Sequence, residues 1–166
     1  MQAIIELGPK TRIGDEVWIA TALLHRENPD RQDFEVREIV ERVRKLNLYG
    51  KFRGGVVPHV YLHCVANKAP KPNAYRMLYA TGKSRRRLYR AGDPCHPERT
   101  GKITPQRDEI PEKYHDLLDW YEKTWVREAA PDPQADPILA LWGVGKEIWR
   151  DEDPDEYVRG LREGWE

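Results

Sequence analysis

Long apolar runs, paired cysteines and catalytic signatures are what this chain of 166 residues lacks. No stretch approaches the roughly 18 consecutive apolar residues of a membrane span. The opening MQAIIELGPKTR has neither the basic leader nor the apolar run of a signal peptide, so no export signal is expected. Cys64 and Cys95 are too few for a disulfide scaffold and fit a reducing cytoplasm, although one bridge between them is compatible with the count. There is no CxxC pair, GxSxG, P-loop, HExxH or zinc ribbon, and no internal repeat. A membrane protein, a secreted mini-protein and a collagen-like chain are therefore not expected.

Net charge is also missing, with 28 Lys and Arg against 28 Asp and Glu. What is present is charge itself: 34% of residues, against about 25% in an average soluble chain. The mean hydropathy is −0.82, so the core cannot take in the whole chain. The balance of zero hides an asymmetry. Residues 28–107 hold 18 basic and 7 acidic side chains, while residues 127–166 hold 5 and 11. A basic middle and an acidic end point to two different partners, or to an end that folds back on the middle; a solvated surface with uneven charge is the plain alternative.

Periodicity predicts a helix over 15–27, with Val17, Ala20, Leu23 and Leu24 recurring at helical spacing, stopped by Asn28-Pro29-Asp30. A second helix is predicted over 35–47 on the stripe Val36, Ile39, Val40, Val43 and Leu46, with Asp33 as candidate N-cap and Phe34 beneath its first turn. A third is predicted over 58–67, with Pro58 at its first position. At 100° per residue Val57, Val60, Tyr61, Cys64 and Val65 fall on one side, and His59, Leu62, His63 and Ala66 on the other, with Asn67 nearby. Residues 74–80 and 86–90 read as strands joined by the turn Thr81-Gly82-Lys83-Ser84. Residues 91–109 read as loop, 111–126 as a fourth helix on the stripe Tyr114, Leu117, Leu118, Tyr121 and Trp125, and 127–137 as a linker.

Three helices followed by a two-stranded basic hairpin resemble a winged helix-turn-helix domain over residues 15–90, with 111–126 as an extra helix. The resemblance implies a recognition helix at 58–67 in the major groove of DNA and a wing at 74–90 along the backbone. The residue chemistry allows the same reading. Lys83, Arg85, Arg86 and Arg87 at the hairpin supply cations for phosphate, and arginine grips it at two points. His59, His63 and Asn67 are candidates to reach base edges, with Lys51, Arg53 and Lys68 as phosphate clamps. Alternatives stand beside these roles. Three arginines on a hairpin also serve as edge-protecting charge. His59, His63, Cys64, Cys95 and His96 form a possible zinc set, against which Cys64 reads better as a small core residue.

Residues 136–165, DPILALWGVGKEIWRDEDPDEYVRGLREGW, resemble the C-terminal segment of virulence-associated B type antitoxins, partners of PIN-domain ribonuclease toxins. The pieces that match are Asp136-Pro137 with Leu139 and Leu141, Gly143-x-Gly145-Lys146, Trp149 and DEYVRGLREGW. Thirty residues bury too little to fold alone. Yet this stretch carries Leu139, Leu141, Trp142, Trp149, Tyr157, Leu161 and Trp165, which is the composition of a docking peptide. The resemblance implies that Lys146 enters an acidic, metal-holding nuclease pocket, and that Tyr157, Leu161 and Trp165 lie in a groove. The alternative is that this segment dimerises the chain or packs on its own domain.

The expectation is thus a mainly α, α+β fold: a winged helix with an extra helix over 1–126, a linker over 127–137 and a partner-docking tail over 138–166. Its expected partners are double-stranded DNA, a PIN-domain ribonuclease toxin and a second copy; no membrane is expected. Alternatives are a regulator whose tail dimerises it and a nuclease-associated winged-helix module. No catalytic residue, metal or cofactor is expected. The carboxylates Asp151, Glu152, Asp153, Asp155 and Glu156 lie together in the tail rather than beside a histidine.

Overall fold

The computed structural model describes residues 11–70 and 74–128. The chain divides into two units, Met1–Ala129 and Ala130–Glu166, and the described residues belong to the first. The expected tail, and with it Leu139, Leu141, Trp142, Lys146, Trp149, Tyr157, Leu161 and Trp165, lies outside them, as does most of the expected linker.

Helix α1 runs from Ile13 to Glu27, with Asp15 and Glu16 in its first turn and Arg26 in its last, each sign at the end its dipole favours. It is surrounded rather than one-sided: Val17, Trp18, Ile19, Ala20, Ala22 and Leu23 are all buried, because α2, α3, β3 and α4 pack around it. The Asn28 side-chain amide donates to the Leu24 carbonyl and closes the last turn.

Strand β1 (Phe34–Glu35) leads straight into helix α2 (Val36–Leu46). The expected cap, Asp33, is displaced. The backbone stays extended through Glu35, and Glu35 forms the capping box with Glu38, whose carboxylate accepts the Glu35 N–H at 2.8 Å. Asp33 instead accepts Thr81 Oγ1 and Arg85 Nε, each at 2.7 Å. Val36, Ile39 and Val43 bury the predicted stripe, and Asn47, in the left-handed region at φ 45°, ends the helix.

The third helix is short and irregular. One α-turn, α3 (Val56–Pro58), continues as a π-turn over His59–His63, where the Cys64 N–H reaches back five residues to the His59 carbonyl. Strands β2 (Leu78–Gly82) and β3 (Arg85–Leu88) make the hairpin, with β1 against its other side, giving an antiparallel sheet in the order β1-β3-β2. Leu78 pairs with Leu88 and Ala80 with Arg86, and burial alternates along β3 so that Arg86 and Leu88 face inward.

The predicted fourth helix is broken into four pieces: a 3₁₀ turn (Glu112–Tyr114), α4 (His115–Trp120), a π-turn (Tyr121–Trp125) and α5 (Val126–Glu128). Its stripe is as predicted, with Tyr114, Leu117, Leu118, Tyr121 and Trp125 buried. Tyr121 donates its hydroxyl to the Tyr89 carbonyl, and Trp125 lies 4.1 Å from His25, ring to ring. The intervening stretch carries a 3₁₀ turn (Arg107–Glu109), and much of the rest is tied down. The Gly101 N–H donates to the Ala74 carbonyl and the Arg76 N–H to that of Lys102. A Cβ on Gly101 would stand 2.5 Å from the Ala74 oxygen, so only glycine permits this approach. Lys102 then reaches inward to Asp15, at 2.8 Å, and to Glu109. The result is an α+β fold with a small three-stranded antiparallel sheet. Among the described residues no helix is long and apolar enough to cross a membrane.

Candidate nucleic-acid interface

The π-turn decides which side chains of the third helix reach solvent. A wider turn advances each residue by less than 100°, so the predicted faces rotate. Val57 and Tyr61, expected inside, are 37% and 41% exposed; His59 and Ala66, expected outside, are buried. The helix also ends at His63, four residues before the predicted end. The outward side chains of this segment are therefore Val57, Pro58 and Tyr61, with Leu62 and His63 half-buried.

His59 Nδ1 lies 2.7 Å from the Gly55 carbonyl, and burial pushes the imidazole below its ordinary value, opposed by that hydrogen bond. His63 meets it edge-on at 4.7 Å between ring centroids. Asn67 is a correction as well. It lies beyond the helix, and its amide clamps the backbone of Ala80, donating to the carbonyl and accepting from the N–H, both at 2.9 Å. It extends the hairpin's ladder, with its carbonyl and its amino group both engaged by Ala80.

The three successive arginines are spent inside the fold. Arg86 is fully buried and donates to the carbonyls of Val60 and Tyr61, at 3.1 Å each, and of Gly82 and Arg85, at 3.0 and 2.7 Å. Burial lowers its pKa. Arg85 is held by Asp33, at 2.5 Å, with Glu35 at 3.9 Å. The hydrogen bond from Arg85, reinforced by Thr81, keeps the Asp33 carboxyl below the usual range. Arg87 is bidentate to Asp93, at 2.6 and 2.8 Å, and lies over the Tyr79 ring. Burial works against ionising Asp93, but Arg87 and the Arg90 N–H overcome it and hold it low. Strand alternation is the physical reason: on one strand three neighbours cannot share a face, and the inward one must find partners. Arg53 is likewise engaged, by Glu16 at 2.7 Å and the Thr11 carbonyl at 2.9 Å, and covers the Tyr49 ring.

A further arginine, Arg99, escaped the sequence reading because it stands in a segment without periodicity. It is 2% exposed and gives all five N–H groups to carbonyls: Lys68 at 2.6 Å, His63, Tyr75 and Leu62 at 2.8 Å, and Ala69 at 2.9 Å. Together Arg86 and Arg99 satisfy the four consecutive carbonyls 60–63 at the end of the third helix, the groups a helix C-terminus leaves open. Neither has a carboxylate partner among the described residues, so two positive charges stand uncompensated behind that helix.

The lysines differ. Lys51 and Lys83 are exposed, Lys68 is half-buried, and none of the three pairs with a carboxylate among the described residues. Burial, with Arg86 nearby, lowers the Lys68 pKa. Between Glu41 and Asp93 the sequence contains no acidic residue and thirteen Lys or Arg. Each carboxylate that neutralises a cation of residues 42–92 comes from outside that stretch, at Glu16, Glu27, Asp33, Glu35, Glu41 or Asp93.

A shallow cleft of about 410 Å³ opens between the start of α1 and α3, lined by Arg12, Ile13, Gly14, Arg53, His59 and Tyr75. Its guanidiniums already have carboxylates, Glu109 at 3.8 Å for Arg12 and Glu16 for Arg53. The two cysteines are free: Cys95 is exposed, and Cys64 lies in the core, where burial pushes its thiol up to about 12. Among the described residues no three His, Cys, Asp or Glu side chains gather in a metal-holding group. Compared with known families, with characterised proteins and with solved structures, the chain matches none.

Proposed function

We propose that residues 11–128 form a winged-helix module that binds double-stranded DNA through the α3 segment and the tip of the β2–β3 hairpin. The element order α1-β1-α2-α3-β2-β3 with sheet order β1-β3-β2 supports the winged-helix assignment. The observation that carries the reading is the acid-free stretch 42–92: it contains both the α3 segment and the hairpin, and leaves Lys51, Lys68 and Lys83 uncompensated. The phosphate contacts fall to these lysines rather than to the arginines. Electrostatic attraction of this kind shows as counterion release, about 0.9 in the slope of log K against log salt for each phosphate neutralised. Three contacts give a slope of about −2.7. Fluorescence anisotropy of the full chain with a labelled 20-base-pair duplex, from low to physiological salt, measures it. Replacing each lysine by Gln removes about one unit. Binding without salt dependence, or no binding at low salt, overturns the reading.

The reading extends to the segment 138–166, on the sequence resemblance alone: a tail that docks on a PIN-type ribonuclease and inhibits it, with Lys146 and the aromatic residues as contacts. A chain ending at residue 129 is expected to keep its DNA affinity and lose ribonuclease inhibition. Half the solution mass after the same truncation would favour dimerisation instead.

A further inference from the structure

Within the DNA-binding reading, on which this step rests, we infer that the outward face of the third helix reads the C5-methyl group of thymine in the major groove. The sequence places imidazoles and an amide on that face, but the folded helix presents Val57, Pro58 and Tyr61. Among the described residues the exposed large hydrophobic side chains are Tyr49, Val57 and Tyr61, all within thirteen residues. Val57 and Tyr61 stand four residues apart, hence on one side of the helix.

The chemistry of base recognition narrows what such a face can do. Guanine is read by a bidentate arginine or lysine, and adenine by asparagine or glutamine. The outward side chains of the segment include none of these. The nearby amide, Asn67, is committed to Ala80, and the nearby guanidiniums, Arg53, Arg86 and Arg99, are committed to Glu16 and to backbone carbonyls. Besides the Tyr61 hydroxyl, what remains is apolar contact, from Val57, Pro58 and the Tyr61 ring, and the thymine methyl is the one apolar group on the major-groove edge of a base pair.

Charge favours DNA over a second copy of this surface as the occupant. The patch lies in the acid-free stretch, with Lys51 before it, Lys68 after it and Arg86 and Arg99 behind it. A second copy of this basic surface would repel it.

The experiment compares alternating d(AT) and d(AU) 20-base-pair duplexes with the full-length protein at fixed salt. The two carry the same phosphates and hydrogen-bonding edges and differ only in the methyl. Each methyl buried changes affinity by about threefold to fourfold, so two contacts make d(AU) about tenfold weaker. The V57S/Y61S variant, changed only at exposed positions, is expected to bind both duplexes alike with the wild-type salt slope. Equal binding of d(AT) and d(AU) by the wild type overturns the methyl reading and leaves DNA binding standing. So does a variant that keeps the preference, or one that halves the solution mass and marks the face as a dimer contact. Absence of salt-dependent binding to either duplex sinks the DNA-binding reading itself.

Discussion

Two buried guanidiniums without carboxylates define the chemistry at the residue scale. Arg99 offers five donors to five carbonyls, so its charge is solvated by backbone in place of water. Removing it takes that partner from all five, and among the described residues only the Leu62 carbonyl keeps another, the Val65 N–H. Hydrogen bonds to a charged group contribute about 1.5–3 kcal/mol each, not additively, so Arg99→Ala is expected to cost at least about 3 kcal/mol in urea unfolding. Arg99→Lys recovers little, because three donors on one nitrogen cannot reach a planar fan of oxygens. His25 makes a second residue-scale prediction. Burial between Phe34 and Trp125 pushes its imidazole down to about 3, with Arg90 and Arg87 adding to the effect. The folded value lies below the unfolded value of about 6.5, so the neutral form is the one folding retains. Its contribution is whole above pH 6.5 and is lost as pH falls from there towards 3, at about 1.4 kcal/mol per unit. His59, also lowered by burial, acts in the same sense. Urea midpoints at pH 7.5, 6 and 5 measure the slope, and the NMR signal of His25 in the folded protein is expected to show no protonation over that range.

At the scale of elements, legibility followed regularity. Helices α1 and α2 were readable because unbroken 3.6-residue periodicity survives in them; the stripe from Tyr114 to Trp125 was readable although its helix is broken, because Tyr114, Leu117, Leu118 and Tyr121 precede the residues that its π-turn displaces. The π-turn at His59–His63 was not, since the sequence pattern counts 100° per residue and the turn does not keep it; Val57, Tyr61, His59 and Ala66 all moved to the opposite side. Arg86 was legible in principle. The strand over 86–90 has Leu88 as its one aliphatic residue, and period 2 puts Arg86 on the face of Leu88. Strand β1 is too short for any pattern to show. Asn67 shows how a side chain substitutes for backbone in such a small sheet. Its amide supplies Ala80 with both ladder bonds, so Asn67→Ala is expected to cost about 1–2 kcal/mol. Amide hydrogen exchange at Ala80 is expected to speed up while that at Leu88, paired from the other side, keeps its protection.

Around the third helix and the hairpin of the described unit, the two kinds of cation have separate duties. Arginines bind inward, to carbonyls at Arg86 and Arg99 and to carboxylates at Arg53, Arg85 and Arg87; the lysines around the third helix are left to solvent. The planar fork of arginine suits fixed oxygens, and the mobile, strongly hydrated ammonium of lysine suits a polyanion that must also be released. Reading the clustered arginines as the DNA grip therefore attaches the binding function to the residues that hold the fold. The two assignments separate cleanly in a pair of triple variants. Changing Arg85, Arg86 and Arg87 to Ala removes a buried carbonyl cap and three ion pairs, and is expected to unfold the protein or lower its urea midpoint severely. Changing Lys51, Lys68 and Lys83 to Gln touches no ion pair, and surface changes of this kind stay within about 0.5 kcal/mol each. The lysine variant is expected to melt near the wild type and to lose the salt dependence of duplex binding. Should the arginine variant instead fold normally and lose DNA affinity, the hairpin arginines would be the grip after all and the internal pairs seen for Arg85 and Arg87 would open on contact with phosphate.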